Sequence, residues 1–130
     1  MLIFGHKFIP SESLYHTPNI DSITNTPPSS IIYLEFSEDN LDIINHALSN
    51  QIEFALSVLD ITQLIYASSL GAKYILVSRD LAKTAQNIAE NYLFDAKILV
   101  NIFENEEIEE IAILGCDGVI FSNAIIKINS

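Results

Sequence analysis

The sequence predicts a single α/β domain built on a parallel sheet, and three observations carry that reading. Apolar runs of strand length alternate with segments of helical period from residue 31 onward, and the runs start about every 22 residues. Runs such as Ile75-Leu76-Val77 and Ile98-Leu99-Val100 lack polar alternation, as strands buried on both faces do. The chain has 130 residues, 49% hydrophobic and 18% charged, which suits one core rather than two. The expected form is a three-layer open parallel sheet of about five strands, flavodoxin-like, and the alternative is half of a (βα)8 barrel.

Residues 1–30 come first and differ in kind. All four prolines, Pro10, Pro18, Pro27 and Pro28, lie there among Ser, Thr and Asn, and a short helix fits only at 19–26. Phe8, Ile9, Leu14 and Tyr15 are too many large apolar groups for a solvated tail. The segment is therefore read as an arm, within one domain of 1–130, that packs on the sheet or on a partner.

Strands are expected at 31–36, 52–58, 74–78, 97–102 and 118–121. Asp39 or Asn40 caps a helix running to Ser49, Asp60 one to Leu70, Asp80 one to Tyr92, and Glu104 or Asn105 one to Leu114. In the last, Ile108, Ile111 and Ala112 face the core, while Glu106, Glu107, Glu109 and Glu110 form a solvated face that suits the helix dipole. The helix after Asp60 carries no charge between Ile61 and Leu70. Its less apolar face, Thr62, Gln63, Tyr66 and Ser69, reads as an interface or as a surface covered from within the chain.

Residues 52–78 also align without gaps on 96–122, an offset of 44 positions that places Gly71 on Gly115 at two helix ends. Glycine there supplies the positive φ of a helix C-cap.

Composition narrows the function. Seventeen acidic residues against six basic give a formal charge of -11, so the mean field repels nucleic acid and anionic membrane surfaces. The lone cysteine, Cys116, excludes an intramolecular disulfide and suits a reducing, cytoplasmic setting. The apolar start Met1-Leu2-Ile3-Phe4 stops at Gly5-His6-Lys7, without the pattern of a signal peptide, and no apolar run approaches the ~20 residues of a spanning helix.

The stretch Gly115-Cys116-Asp117-Gly118-Val119-Ile120-Phe121-Ser122-Asn123-Ala124-Ile125-Ile126-Lys127 resembles the closing strand of phosphate-binding (βα)8 barrels of the tryptophan synthase alpha subunit type. That family carries a pattern like G-A-D-G-V-I-V-G-S-A-I-V-K there. Ile98-Leu99-Val100-Asn101, the acidic helix and Leu114-Gly115 follow the same layout, so the resemblance covers 97–127. It implies a phosphate held by backbone N–H groups at the Gly-Ser pair and at a glycine-rich loop after the preceding strand. Here Ser122 and Asn123 take the places of Gly and Ser, and Asn101-Ile102-Phe103-Glu104 replaces the glycines. Both halves of the implied anion site are altered, and Glu104, Glu106 and Glu107 repel a phosphate.

In either architecture, ligands gather at the carboxyl ends of the strands. The candidates there are Glu35, Ser57, Ser78, Arg79, Asn101, Ser122 and Asn123. Glu35, in an otherwise apolar strand, is a candidate acid or base, and Arg79, the only arginine, a candidate anion clamp. Lysine is expected at no strand's carboxyl end, which disfavours Schiff-base chemistry. The chain has no Walker loop or G-x-G-x-x-G, and its His and Cys have no metal spacing, so no cofactor or metal is expected. The expected function is a non-catalytic interaction or assembly protein, with a homo-oligomer or protein partner and neither nucleic acid nor membrane. The alternative is a small-molecule binding protein or enzyme, for a phosphorylated or carboxylate metabolite, with a modified barrel-type anion site.

Overall fold

The computed structural model describes residues 1–128. Eight strands are formed: β1 (Leu2–Phe4), β2 (Leu14–His16), β3 (Ile31–Glu35), β4 (Phe54–Ser57), β5 (Tyr74–Val77), β6 (Lys97–Ile102), β7 (Gly118–Phe121) and β8 (Ile125–Lys127). Four helices accompany them: α1 (Leu41–Ser49), α2 (Ile61–Leu70), α3 (Ala82–Asn91) and α4 (Glu107–Leu114). All strand pairs are parallel, in the order β1-β7-β6-β5-β4-β3-β2-β8.

From β2 to β7 the strands lie side by side in chain order. A doubly wound sheet reverses its direction of winding part-way and so gathers helices on both faces. Winding that never reverses, with right-handed crossovers, keeps every helix on one face. The expected flavodoxin-like three-layer form is therefore corrected to its alternative: an open parallel sheet curled into a half-barrel, with eight strands rather than about five. The three additional strands, β1, β2 and β8, are each three residues long and carry no readable period. The amino-terminal segment thus supplies two strands of the sheet itself.

The two faces have separate cores. Against the helices pack Ile32, Leu34, Leu56, Ile75, Val77, Ile98, Val100 and Val119, with Ile43, Ile44, Leu64, Ala85 and Ile111 from α1 to α4. The concave face is filled without any helix, by Phe4, Leu14, Ile31, Ala55, Tyr74, Leu76, Leu99, Ile120 and Ala124. Leu14, Ala55 and Leu99 there are 0% exposed. Full burial without an outer layer requires that the sheet curl far enough for its own strands to face one another. The absence of polar alternation in β5 and β6 thus has a different cause from the two helical layers expected. Phe4 and Tyr74 meet edge to face inside this core, ring centroids 5.2 Å apart.

The curl is held along residues 118–127. Gly118, Val119 and Ile120 pair with Leu2, Ile3 and Phe4, and Ile125, Ile126 and Lys127 pair with Leu14, Tyr15 and His16. Only the 3₁₀ turn Ser122–Ala124 separates the two halves, so one short segment draws together strands from opposite ends of the sheet.

All four expected helices form, but of their expected caps only Asp60 acts through its side chain; α3 and α4 begin without a side-chain cap from Asp80, Glu104 or Asn105. The Asp60 carboxylate accepts the Gln63 N–H at 2.8 Å, and the Gln63 side-chain oxygen accepts the Leu59 N–H at 2.9 Å, fixing the start of α2 from both sides. Before α1 the cap is Ser37, which accepts the Asp39 N–H, rather than Asp39 or Asn40. The 44-residue repeat is structural: α2 ends at Gly71 with φ 91° and α4 at Gly115 with φ 79°, and β5 and β7 begin three residues later. Among the described residues, no helix is long and apolar enough to cross a membrane.

Gly118 is required for another reason. A Cβ there would lie 2.6 Å from the Leu2 carbonyl oxygen and 2.9 Å from a Leu99 methyl, so β1 reaches β7 only because residue 118 has no side chain. Gly118→Ala is expected to cost about 1–3 kcal/mol in urea unfolding and to unprotect the amides of Leu2–Phe4 in hydrogen exchange. Gly115→Ala, with open space around it, is expected to cost about 1–2 kcal/mol and to leave β1 protected.

Candidate functional site at the mouth of the curled sheet

Side chains alternate along a strand, and this places the polar residues at the carboxyl ends. Ile31 and Tyr33 face the concave core, so Glu35 does too. By the same count Ser57 follows Ala55, Ser78 follows Leu76, Asn101 follows Leu99, and Ser122 follows Ile120. In the two strands unseen in the sequence, His16 follows Leu14 and Lys127 follows Ile125. The apolar interior therefore ends in a polar mouth to which seven strands contribute.

Part of the mouth is an open cleft of about 600 Å³, lined by Ser78, Arg79, Asp80, Asn101, Phe103, Glu107 and Ser122, with Ile102, Ile120 and Ile125. Four of the seven expected ligand residues, Ser78, Arg79, Asn101 and Ser122, meet in it. Glu35 and Ser57 are register partners on β3 and β4 and lie in the neighbouring sector. Asn123 is placed elsewhere, donating its side-chain amide to the Gly5 carbonyl at 2.8 Å and tying the end of β1 to the turn after β7.

The two groups best suited to an anion are already engaged. Arg79 donates Nε to Glu110 Oε1 at 3.0 Å, Nη2 to Glu110 Oε2, and Nη1 to Glu107 Oε1 at 3.3 Å. The other Glu107 oxygen accepts the backbone N–H of Phe103 at 2.7 Å and of Glu104 at 2.8 Å. These amide bonds first, and Arg79 second, hold the Glu107 carboxyl below its ordinary range. Glu107 thus stands where the loop amides would otherwise meet a ligand's anion. The Glu104-x-x-Glu107 spacing, half of a capping box, was the signal for this contact.

In the other sector the Tyr33 hydroxyl lies near Ser57 and Glu35. Its ring meets that of His16 at a centroid distance of 5.4 Å, nearly perpendicular. His16 is in turn the register partner of Lys127. A lysine does end a strand, against expectation, because β8 could not be read from its three residues. His16, Tyr33 and Lys127 are the mouth residues that sequence reasoning missed; Phe103 and Glu107 lie where the altered loop after β6 was expected to oppose a phosphate.

Cys116 lies at the opposite end of the strands, buried, with Sγ 3.8 Å from the Ala82 carbonyl oxygen. Burial, and then Asp117 and Glu90, push its thiol up, away from the reactive thiolate. Among the described residues, no group of three or more His, Cys, Asp or Glu is placed to hold a metal ion.

Of the expected interface residues, Gln63 is committed to the α2 cap. Thr62, Tyr66 and Ser69 are exposed, and Tyr66 stacks on Phe36 at 6.2 Å. Among the described residues only the Phe36 ring lies against that of Tyr66, which stays 55% exposed. The chain matches no family model and no curated protein.

Burial above all, with Glu35 adding to it, raises Tyr33 above the usual 10.0, and the nearby Ser57 side chain opposes the shift. Folding then favours the neutral phenol, so this contribution is intact below pH 10 and is lost as pH rises through the raised value. Tyr33→Phe is expected to flatten part of the alkaline loss of stability, followed by urea unfolding at stepped pH with the ultraviolet phenolate band as a second readout.

Proposed function

We propose that the chain binds a small polar molecule at the mouth of its curled sheet. The observation that carries this reading is the convergence of polar side chains from seven strands around one opening beside a cleft of about 600 Å³, within the size range of small-molecule sites. The apolar plug of Phe4, Leu14, Leu99 and Ile120 gives the mouth a rigid floor. Asn101, whose amide only reaches the Val77 carbonyl at 3.5 Å, and Ser122 supply hydrogen-bonding capacity facing the cleft. Engagement of Arg79 and of the loop amides by Glu107 favours a ligand without a phosphate in the cleft.

A thermal-shift screen of polar metabolites tests this. A ligand at about 100 times its Kd adds about 2.7 kcal/mol and raises the Tm by several degrees. Asn101→Leu and Ser57→Val, if they fold as the parent does, are expected to abolish the shift. A screen without hits, or hits indifferent to both substitutions, overturns the reading.

A second reading, assembly of like copies, is favoured by α2. Among the four α-helices of the described residues it alone carries no charge, in a chain of formal charge -11, so two copies meeting there juxtapose no carboxylates from it. Ile65 and Tyr66 on that face are exposed. Light scattering is expected to give a dimer for the parent and a monomer for Tyr66→Lys; a parent that stays monomeric at high concentration removes this reading.

A further inference from the structure

The mouth has two sectors of opposite character. On the cleft side, Asp80 and Glu107 line the wall, and the one cation there, Arg79, is committed to Glu107 and Glu110. An incoming anion finds no uncommitted positive group on that wall. An ammonium or other donor finds the Asp80 carboxylate and the side-chain oxygens of Asn101 and Ser122, on a wall where Glu107 and Glu110 together outweigh Arg79.

Across the opening the balance reverses. His16 and Lys127 are directly paired in register on adjacent parallel strands about 4.8 Å apart. Leu14 and Ile125, two residues earlier on each strand, belong to the same concave core, so both basic side chains leave the sheet on the mouth side. The Tyr33 ring packs against His16 with its hydroxyl at Ser57, adding two hydroxyls to the same sector. Glu35 ends β3 and the exposed Glu38 and Asp39 follow it, and no ion pair joins any acid to Lys127 among the described residues. The two sectors are continuous, because Ile125 lines the cleft and Lys127 follows it two positions later on the same strand face.

We infer that the ligand is a zwitterion, a small amino-carboxylic acid, with its carboxylate on His16 and Lys127 and its ammonium against Asp80. This rests on the mouth being a ligand site, and it adds the charge pattern that such a ligand must have. A dipolar molecule satisfies both sectors at once, whereas a simple anion or a simple amine satisfies one and is opposed by the other.

The series glycine, β-alanine, 4-aminobutyrate and 6-aminohexanoate carries both charges at increasing separation; acetate, butyrate and butylamine carry one. Amide chemical-shift titration of the whole chain is expected to show one member of the zwitterion series binding at least tenfold tighter than any single-charge control, with shifts at His16, Asn101 and Lys127. Lys127→Met and His16→Gln are each expected to weaken it about tenfold, and Asp80→Asn likewise. Lys127 and Asp80 are both exposed, so their variants are expected to fold as the parent does.

Single-charge controls that bind as well as the best zwitterion, or zwitterion binding unchanged in Lys127→Met, overturn the inference. Binding that depends on Asn101 and Ser57 but not on charge leaves the mouth a ligand site and removes only the zwitterion. Absence of any ligand at the mouth removes both.

Discussion

The pairing of residues 118–127 with strands from opposite ends of the sheet is the constraint on which the rest depends. Gly118 to Ile120 bind β1, and Ile125 to Lys127 bind β2 after a three-residue turn. A flat sheet of eight strands at about 4.8 Å spacing would hold β7 and β8 about 29 Å apart, farther than that turn can reach. The sheet has to curl. Curling in turn lets a 130-residue chain bury both sheet faces with a single layer of helices, because the concave face is closed by its own strands. Gly118 supports this at one point, where the Leu2 carbonyl fits only against a residue without a side chain.

The mouth follows from the same curl. In a flat sheet, Glu35, Ser57, Ser78, Asn101 and Ser122 would form a row along one edge; in a curled one they surround an opening. The charges in that opening are arranged unevenly. Glu107 satisfies loop amides and Arg79 together, which removes an anion site from one side and leaves the basic pair His16 and Lys127 on the other. Much of the acidity of the chain is spent on helix starts and solvated faces, and the part nearest the cleft is structural.

Much of this was legible in the sequence. The β6 and β7 boundaries agree with the expected 97–102 and 118–121, and the Asp60 cap and the two glycine C-caps formed as their chemistry requires. These are features decided within a few residues of chain. Ser78, Arg79, Asn101 and Ser122 could be named because they end strands whose apolar runs are unmistakable. His16 and Lys127 could not. Each ends a strand of three residues, too short for any period, and those strands exist only because another segment offers them a ladder.

What the sequence alone determined is therefore local and periodic: strands with both faces apolar, helices with one, their caps, and the acidic residues that close α4 and its loop. What the tertiary structure decided is the direction of winding and the meeting of the sheet's ends. Apolar runs state that a strand is buried on both faces, but not whether helices or other strands bury it. That choice is made by pairings between residues more than a hundred positions apart, such as Leu2 with Gly118 and Leu14 with Ile125. Three-residue strands contribute to it through hydrogen bonds that any side chain permits, so the residue types leave no trace of the partner.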